Sequence, residues 1–384
     1  MLLSVLKTLV RFVVPVCAAA MAWAESGSPV PVMELVRTCA PFADEITAVL
    51  NPKVSDHTTF LLRGRQALIF GTMMCNEGPT IVKFVGRQHT EAKPTALQRP
   101  FVESCRREVD FFKAQREHGF DLSALFPRVS MALATPVGEC CSEAFVLVME
   151  DLEAAGFSQP PSLQLKTASS VLGALAALHA HFWANADVMA GSRGSFWALE
   201  RRPSEEMDPD AAQQRWATVV SAFAGECRDL PQFLGRDLAL AARDLDAVVS
   251  STAVTLIHGD AKPANLFTNP DKSSVKLIDM QWCGKGNPLS DVTYFLCTSL
   301  DAALLKADAC HNALAPASVE DDDAAAEGVF SHLIEHYLAA LGARLGDSRR
   351  NQLQELARTS LDVCFLDYVR VVCRGPHAHG ERGT

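Results

Sequence analysis

No C-x-x-C pair, no internal repeat and no long low-complexity tract occurs in the sequence. The first absence is informative because cysteine is not scarce: twelve are present, scattered, with Cys140-Cys141 the only close pair. That distribution does not form a zinc-ligand spacing and reads as mostly reduced thiols. Cys105, Cys297 and Cys364 fall inside apolar helical patterns, where a free thiol behaves as a small hydrophobe. Cys373, His377 and His379 crowd near the C-terminus, in what reads as a polar tail. Positive charge is short as well, 35 basic against 45 acidic side chains for a formal net charge of −10. An acidic chain repels phosphate backbones, which excludes nucleic acid as the main partner.

Acidic residues are missing altogether from residues 1–24, whose only charges are Lys7 and Arg11. With the apolar run Phe12–Ala24 and the small-x-small Ala22-Trp23-Ala24, this segment reads as a secretory signal or transit-like leader, an uncleaved apolar helix being the competing reading. Pro15 interrupts the run, so a stable membrane span is not expected. The remaining chain is compatible with the cytoplasm, and oligomeric state is left open by the sequence.

What is present is an ordinary globular balance, 48% hydrophobic and 21% charged over 384 residues, enough for two or three folding units. Thr58–Val85 reads as antiparallel strands, "TTFLL", "ALIFGTMM" and "TIVKFV", with hairpin chemistry in "CNEGP". A helix is expected over Phe101–Gln115 and a strand over Ala144–Met149. Past Leu152 the pattern turns helical: Ser162 is a candidate cap, and Val171, Leu175, Leu178 and Phe182 form a core-facing stripe. Further helices are expected over 210–224, 235–249, 290–307, 327–345 and 350–372. The expected fold class is α+β: a leader at 1–24, a small sheet lobe at 25–152 and a mainly helical lobe at 153–384.

One short β segment interrupts the helices and carries the chemistry. Val254–Ile257 reads as a buried strand, after which the chain emits His258, Gly259 and Asp260. Two apolar pieces follow, "NLF" and "SVKLI", separated by the strong turn signal Asn269-Pro270-Asp271. Folding about that turn returns Asp279 toward Asn265, so Asp260, Asn265 and Asp279 can converge at one end of a hairpin. Hard Mg²⁺ takes a few carboxylate or amide oxygens, with phosphate oxygens completing its shell. Asp279 would bring charge to the metal and Asn265 a neutral oxygen, while Asp260 would orient and deprotonate an acceptor hydroxyl. Each residue alone reads more simply as a turn residue; their joint spacing is what points to chemistry.

His258-Gly259-Asp260-x-x-x-x-Asn265 followed by Ile278-Asp279 resembles the signature of the kinase-like phosphotransferases. That superfamily includes aminoglycoside phosphotransferases and choline kinases. The run Ile278-Asp279-Met280-Gln281, then Pro288 and Asp291, is most similar to its ecdysteroid-kinase-like (CHK kinase-like) branch. "VLVMEDLEAAGF" resembles the hinge between lobes and "LAALHAHFW" the first large helix of the C-lobe, so the likeness covers roughly Asp56 to Arg370. It implies a bilobal protein-kinase-like fold and ATP- and Mg²⁺-dependent phosphorylation of a hydroxyl on a small molecule. It also implies a lysine–glutamate pair in the small lobe, and the residues supply one. Lys83 lies in an apolar strand, and Glu108 falls on the apolar stripe Phe101–Cys105–Glu108–Phe112, away from Glu103. A buried ammonium and a buried carboxylate solve each other's desolvation problem. Backbone groups of Glu150 to Leu152 would meet adenine, Lys262 would reach the transferred phosphate, and His258 would hold the catalytic loop by hydrogen bonds. Asp291 is expected to fix that loop or cap the next helix, and His179 and His181 to be structural.

Glycine is sparse in the expected phosphate loop, where only Gly64 stands, between Arg63 and Arg65. A catalytically silent nucleotide-binding scaffold therefore stays open as an alternative. A protein kinase is the other, opposed by Gly259 where protein kinases carry arginine and by the lack of an Ala-Pro-Glu segment after Asp279.

Overall fold

The computed structural model of the chain describes residues 29–30, 42–49, 59–63, 68–75, 78–93, 95–136, 143–160, 163–185, 192–196, 198–201, 207–222, 227, 230–300 and 322–372. The leader at 1–24, Gly64 with Arg65, Cys140-Cys141, Ser162 and the cluster Cys373, His377 and His379 lie outside them. The described residues fall into two compact units: one runs up to Gln159 and takes in Asn265–Cys283, and the other comprises Pro160–Ala264 with the chain from Gly284 onward.

The first unit is built on β1 (Pro29–Val30), α1 (Ala43–Val49), β2 (Thr59–Arg63), β3 (Leu68–Cys75), β4 (Gly78–Val85), α2 (Arg87–Glu91), α3 (Thr95–Glu117), β5 (Val129–Ala134) and β6 (Phe145–Glu150). The strands form one antiparallel sheet in the order β1-β2-β3-β4-β6-β5. Side chains alternate between faces along a strand. Val82 and Phe84 of β4 and Val146 and Val148 of β6 therefore share one face, packed with Phe42 and Ile46 at α1. Lys83, paired in register with Leu147, points to the opposite face. Helix α3 begins at Thr95, six residues before the expected Phe101, and continues through Pro100. Pro100 lacks the N–H that would bond to Ala96 O, so the start of this helix gives up one ladder bond.

In the second unit, α4 (Leu165–His181) buries the expected stripe, with Val171, Leu175, Leu178 and Phe182 all in the core. Its N-cap is Gln164, which makes no side-chain cap bond. Then come α5 (Pro209–Ala222), α6 (Leu234–Leu240) and α7 (Ala242–Ser251). The single helix expected over 235–249 is thus two, because Ala241 ends α6 and precedes α7 without any glycine or proline to announce it. Next is β7 (Thr255–Ile257).

After Ala264 the chain joins the first unit, where β8 (Leu266–Thr268) and β9 (Val275–Leu277) form the expected antiparallel hairpin. Leu277 N–H donates to Leu125 O at 2.7 Å, and Ser158 and Thr268 form a bridge. These backbone ties explain why a segment expected in the helical lobe packs with the sheet.

From Gly284 the chain belongs to the second unit again, and β10 (Gly284–Gly286) pairs antiparallel with β7. A Cβ on Gly286 would stand 2.5 Å from Ile257, so this close crossing needs glycine. Helices α8 (Pro288–Ser299), α9 (Asp322–Leu345) and α10 (Arg350–Val372) complete the unit. Helix α4 packs mainly on α9, and α10 on α8 and α7. None of the described helices is long and apolar enough to cross a membrane.

Candidate functional site

The first unit holds a trio of charges. Lys83 Nζ donates to Glu108 Oε2 at 2.7 Å and to Asp279 Oδ1 at 2.8 Å. The Lys83–Glu108 pair expected from the helical stripe is therefore present; the tie to Asp279 was not foreseen. Lys83 and Glu108 are nearly enclosed, with side chains 13% and 4% exposed, whereas that of Asp279 is 32% exposed. Burial works against the Lys83 ammonium, but Asp279 and Glu108 outweigh it and hold its pKa well above the ordinary lysine value. Burial pushes the Glu108 carboxyl up; Lys83 opposes this, and the charge of Asp279 adds to it. Cys105, on the same stripe, is a buried free thiol pushed up to about 12, chiefly by burial, and it accepts a 3.8 Å contact from Gln281.

The β8–β9 hairpin sets Asn265 and Asp279 together at one end, with Ile278 N–H donating to Asn265 O at 3.0 Å. Asn265 is buried. Asp279 adopts a left-handed backbone, φ 66° and ψ 64°, a conformation that costs a non-glycine residue on the order of 1–3 kcal/mol and that aspartate tolerates better than most. One ammonium serves two carboxylates, and the partly open one, Asp279, is a hard oxygen donor. That donor set fits a divalent cation such as Mg²⁺. Among the described residues no group of three or more His, Cys, Asp or Glu side chains forms a metal cage by itself.

At the end of β6, the N–H of Glu150 donates to Arg128 O and that of Asp151 to Pro79 O, at 2.8 and 3.0 Å. Leu152 O accepts from Phe157, while the Leu152 N–H has no partner among the described residues.

Asp260, His258 and Lys262 lie in the second unit. Asp260 follows β7 and is 5% exposed. Its Oδ2 accepts from Lys262 Nζ at 2.8 Å and its Oδ1 from the Tyr294 hydroxyl at 2.7 Å. His258 is fully buried and its Nδ1 accepts from the Asp260 N–H at 3.3 Å. Gly259 has φ 81°, the left-handed turn that lets the chain leave the strand, which is a structural reason for glycine here.

Asp291 fixes this loop. It accepts from the backbone N–H of His258 at 2.6 Å and of Gly259 at 2.8 Å, and it contacts His179 Nε2 at 3.2 Å. Capping of α8 falls instead to Asn287, whose side chain accepts from Leu289 N–H. Burial raises the Asp291 pKa, but the His179 hydrogen bond, the charges of His179 and His258 and the Gly259 N–H outweigh it, and the net direction is downward. His179 Nδ1 meets Tyr337 Oη at 2.7 Å, so this histidine is a satisfied structural one.

The foreseen residues thus sort into two sets. Lys83, Glu108, Asn265, Asp279, Glu150 and Leu152 belong to the first unit, and His258, Asp260 and Lys262 to the second. Sequence reasoning missed Tyr294. Its signal, a tyrosine three residues after Asp291 on one helix face, is visible only once Asp291 is known to hold the loop.

Residues 76–327 match the model of a family described as the phosphotransferase enzyme family. Among solved structures, an aminoglycoside phosphotransferase from Streptomyces rimosus is 17% identical, with 81% of this chain and 92% of that chain covered at a TM-score of 0.38. An ethanolamine kinase from Plasmodium vivax is 12% identical, covering 87% and 86% at a TM-score of 0.39. A choline/ethanolamine kinase family protein from Mesorhizobium loti is 14% identical, covering 88% and 99% at a TM-score of 0.35. These overlays are loose, and the family match stands without them. No curated protein matches the sequence.

Proposed function

The chain belongs to the phosphotransferase enzyme family, and from that premise we propose ATP- and Mg²⁺-dependent transfer of a phosphoryl group to a hydroxyl of a small molecule. The observation that carries this reading is Lys83 shared between Glu108 and Asp279. A braced ammonium beside a part-open carboxylate is what nucleotide phosphates and their metal require. The run Ile278-Asp279-Met280-Gln281 with Pro288 and Asp291 supports a place in the ecdysteroid-kinase-like branch.

Each residue then has a role. Lys83 binds ATP phosphates while Glu108 keeps its ammonium aimed. The Leu152 N–H and the Glu150 carbonyl take the adenine edge, where side-chain identity matters little. Asn265 and Asp279 hold Mg²⁺, which when bound offsets the charge of the phosphates. Asp260 orients the acceptor hydroxyl and receives its proton as the oxygen attacks the γ-phosphorus and the bond to the departing ADP breaks. Lys262, already paired with Asp260, is placed to follow the transferred group. His258 and Asp291 keep the loop still.

The test is a phosphate-transfer screen of purified protein with ATP against alcohol-bearing metabolites, read by mass. A product gained by one phosphoryl group, formed about 10²–10⁴-fold more slowly by Asp260→Asn, is expected. ATP binding with no phosphorylated product on the whole panel would overturn the enzyme reading and leave a nucleotide-binding scaffold.

A further inference from the structure

We infer that Tyr294 is a positioning residue for Asp260, fixing the orientation in which that carboxylate meets the acceptor hydroxyl; the inference rests on the phosphoryl-transfer reading above. Both carboxylate oxygens of Asp260 receive a donor, but the donors differ in kind. Lys262 sits two residues away on the same loop, its side chain 29% exposed, so its hold moves with the loop and with solvent. Tyr294 is 7% exposed and stands on α8. Its ring meets Tyr368 of α10 edge-on, with centroids 5.4 Å apart at 76°. The hydroxyl is therefore anchored from outside the loop.

The placement on α8 adds a second argument. Asp291, three residues earlier, takes the N–H groups of His258 and Gly259. Residues three apart share a helix face. One face of α8 thus grips the loop twice, by its backbone just before Asp260 and by the Asp260 side chain itself. A cavity bordered by Gly259, Ser290, Cys364, Asp367, Tyr294 and Tyr368 adjoins the loop. A buried tyrosine hydroxyl always seeks a partner; here the partner is the proposed base.

Tyr294→Phe keeps the ring and removes the tie. The expected result is a kcat lower by roughly 10- to 100-fold, the scale on which small misplacements of a reacting group act, with KM for ATP and acceptor unchanged. Added to Asp260→Asn, the same change should cost nothing more, because its effect runs through that carboxylate. A wild-type kcat in Tyr294→Phe, or an equal loss in both backgrounds, would overturn the inference. A second readout needs no turnover. The chain has three tyrosines, so carbon-13 labelling at tyrosine Cζ yields three resonances, and Tyr294→Phe identifies one by its disappearance. Asp260→Ala should move that resonance; an unmoved one would also overturn the inference. If wild-type protein phosphorylates no acceptor, the functional reading fails by itself, and the resonance still decides whether Tyr294 holds Asp260.

Discussion

The two units handle a buried carboxylate in opposite ways. In the sheet unit, Glu108 and Asp279 share one ammonium, and Asp279 is partly open to solvent. In the helical unit, Asp291 accepts two backbone N–H groups and contacts a histidine, and nothing is left over for a ligand. The electrostatics follow the packing: the Glu108 carboxyl is pushed up by burial, while that of Asp291 is drawn down by its donors against burial. An ion cluster with one part-open member can trade partners when a cation or polyphosphate arrives. A complete hydrogen-bonded one is costly to disturb, because each donor it abandons would stay buried and unpaired. The first arrangement suits binding and the second suits holding a loop still. Variants of the two units should therefore fail differently.

The largest effect is expected from Asp260→Asn, which keeps the shape and removes the proposed base. Turnover should fall by about 10²–10⁴-fold, the usual worth of a positioned acid–base group, while calorimetric nucleotide affinity stays at the wild-type value. A matching loss of nucleotide affinity would erase the division of labour between the units. Asp279→Ala comes next and should do the reverse. Mg²⁺-dependent nucleotide binding should weaken by roughly 100-fold, since the proposed metal site loses its charged oxygen. Titration of nucleotide with and without Mg²⁺ checks it, and tight Mg²⁺-dependent binding in the variant would reject Asp279 as a metal ligand.

How much of this was legible in the sequence follows the same divide. Lys83 and Glu108 could be paired beforehand because the family resemblance called for a lysine–glutamate pair, Lys83 lay in an apolar strand and helical periodicity put Glu108 on an apolar stripe. The hairpin of β8 and β9 was announced by Asn269-Pro270-Asp271. The tie between Lys83 and Asp279 spans 196 residues and rests on packing, so no local pattern could carry it. Tyr294 was hidden for a different reason. In α8 every residue from Pro288 to Ser299 except Ser290 is buried, so no periodic contrast marks one polar side chain above another. The break at Ala241 and the packing of 265–283 with the sheet depend on tertiary contacts such as Leu277 N–H to Leu125 O, which composition does not encode.

Asp291→Asn probes the complete cluster through pH. An amide oxygen can still accept a hydrogen bond, but the charge is lost and one acceptor becomes a donor. The N–H groups of His258 and Gly259 then compete for a single oxygen, at a cost of roughly 1–3 kcal/mol for a buried group left unpaired. Because the folded pKa of Asp291 lies below its unfolded value, its contribution is fully present above the unfolded value of about 3.9. It is lost as pH falls through the folded value. Denaturant melts should show wild type more stable than the variant at neutral pH and the gap closing below about pH 4. A gap that widened with acid would reverse the assigned direction.

The smallest effect is expected two bonds further from the loop. His179 bridges the two side chains, its Nε2 3.2 Å from Asp291 Oδ2 and its Nδ1 2.7 Å from the Tyr337 hydroxyl. Tyr337→Phe removes that hydroxyl and leaves the buried Nδ1 without its partner, a loss of about 1 kcal/mol in unfolding free energy. The loop should hardly notice, because the two backbone N–H groups on Asp291 remain in place. Turnover is expected within about 3-fold of wild type, corresponding to less than about 1 kcal/mol in barrier height. The comparison of units predicts this gradient: in a completed cluster, the cost of a lost bond stays where the bond was. Should Tyr337→Phe instead cut turnover by roughly 10-fold or more, the His179 ring must be transmitting its orientation to the loop that carries Asp260. The helical unit would then be a coupled relay and not a rigid frame.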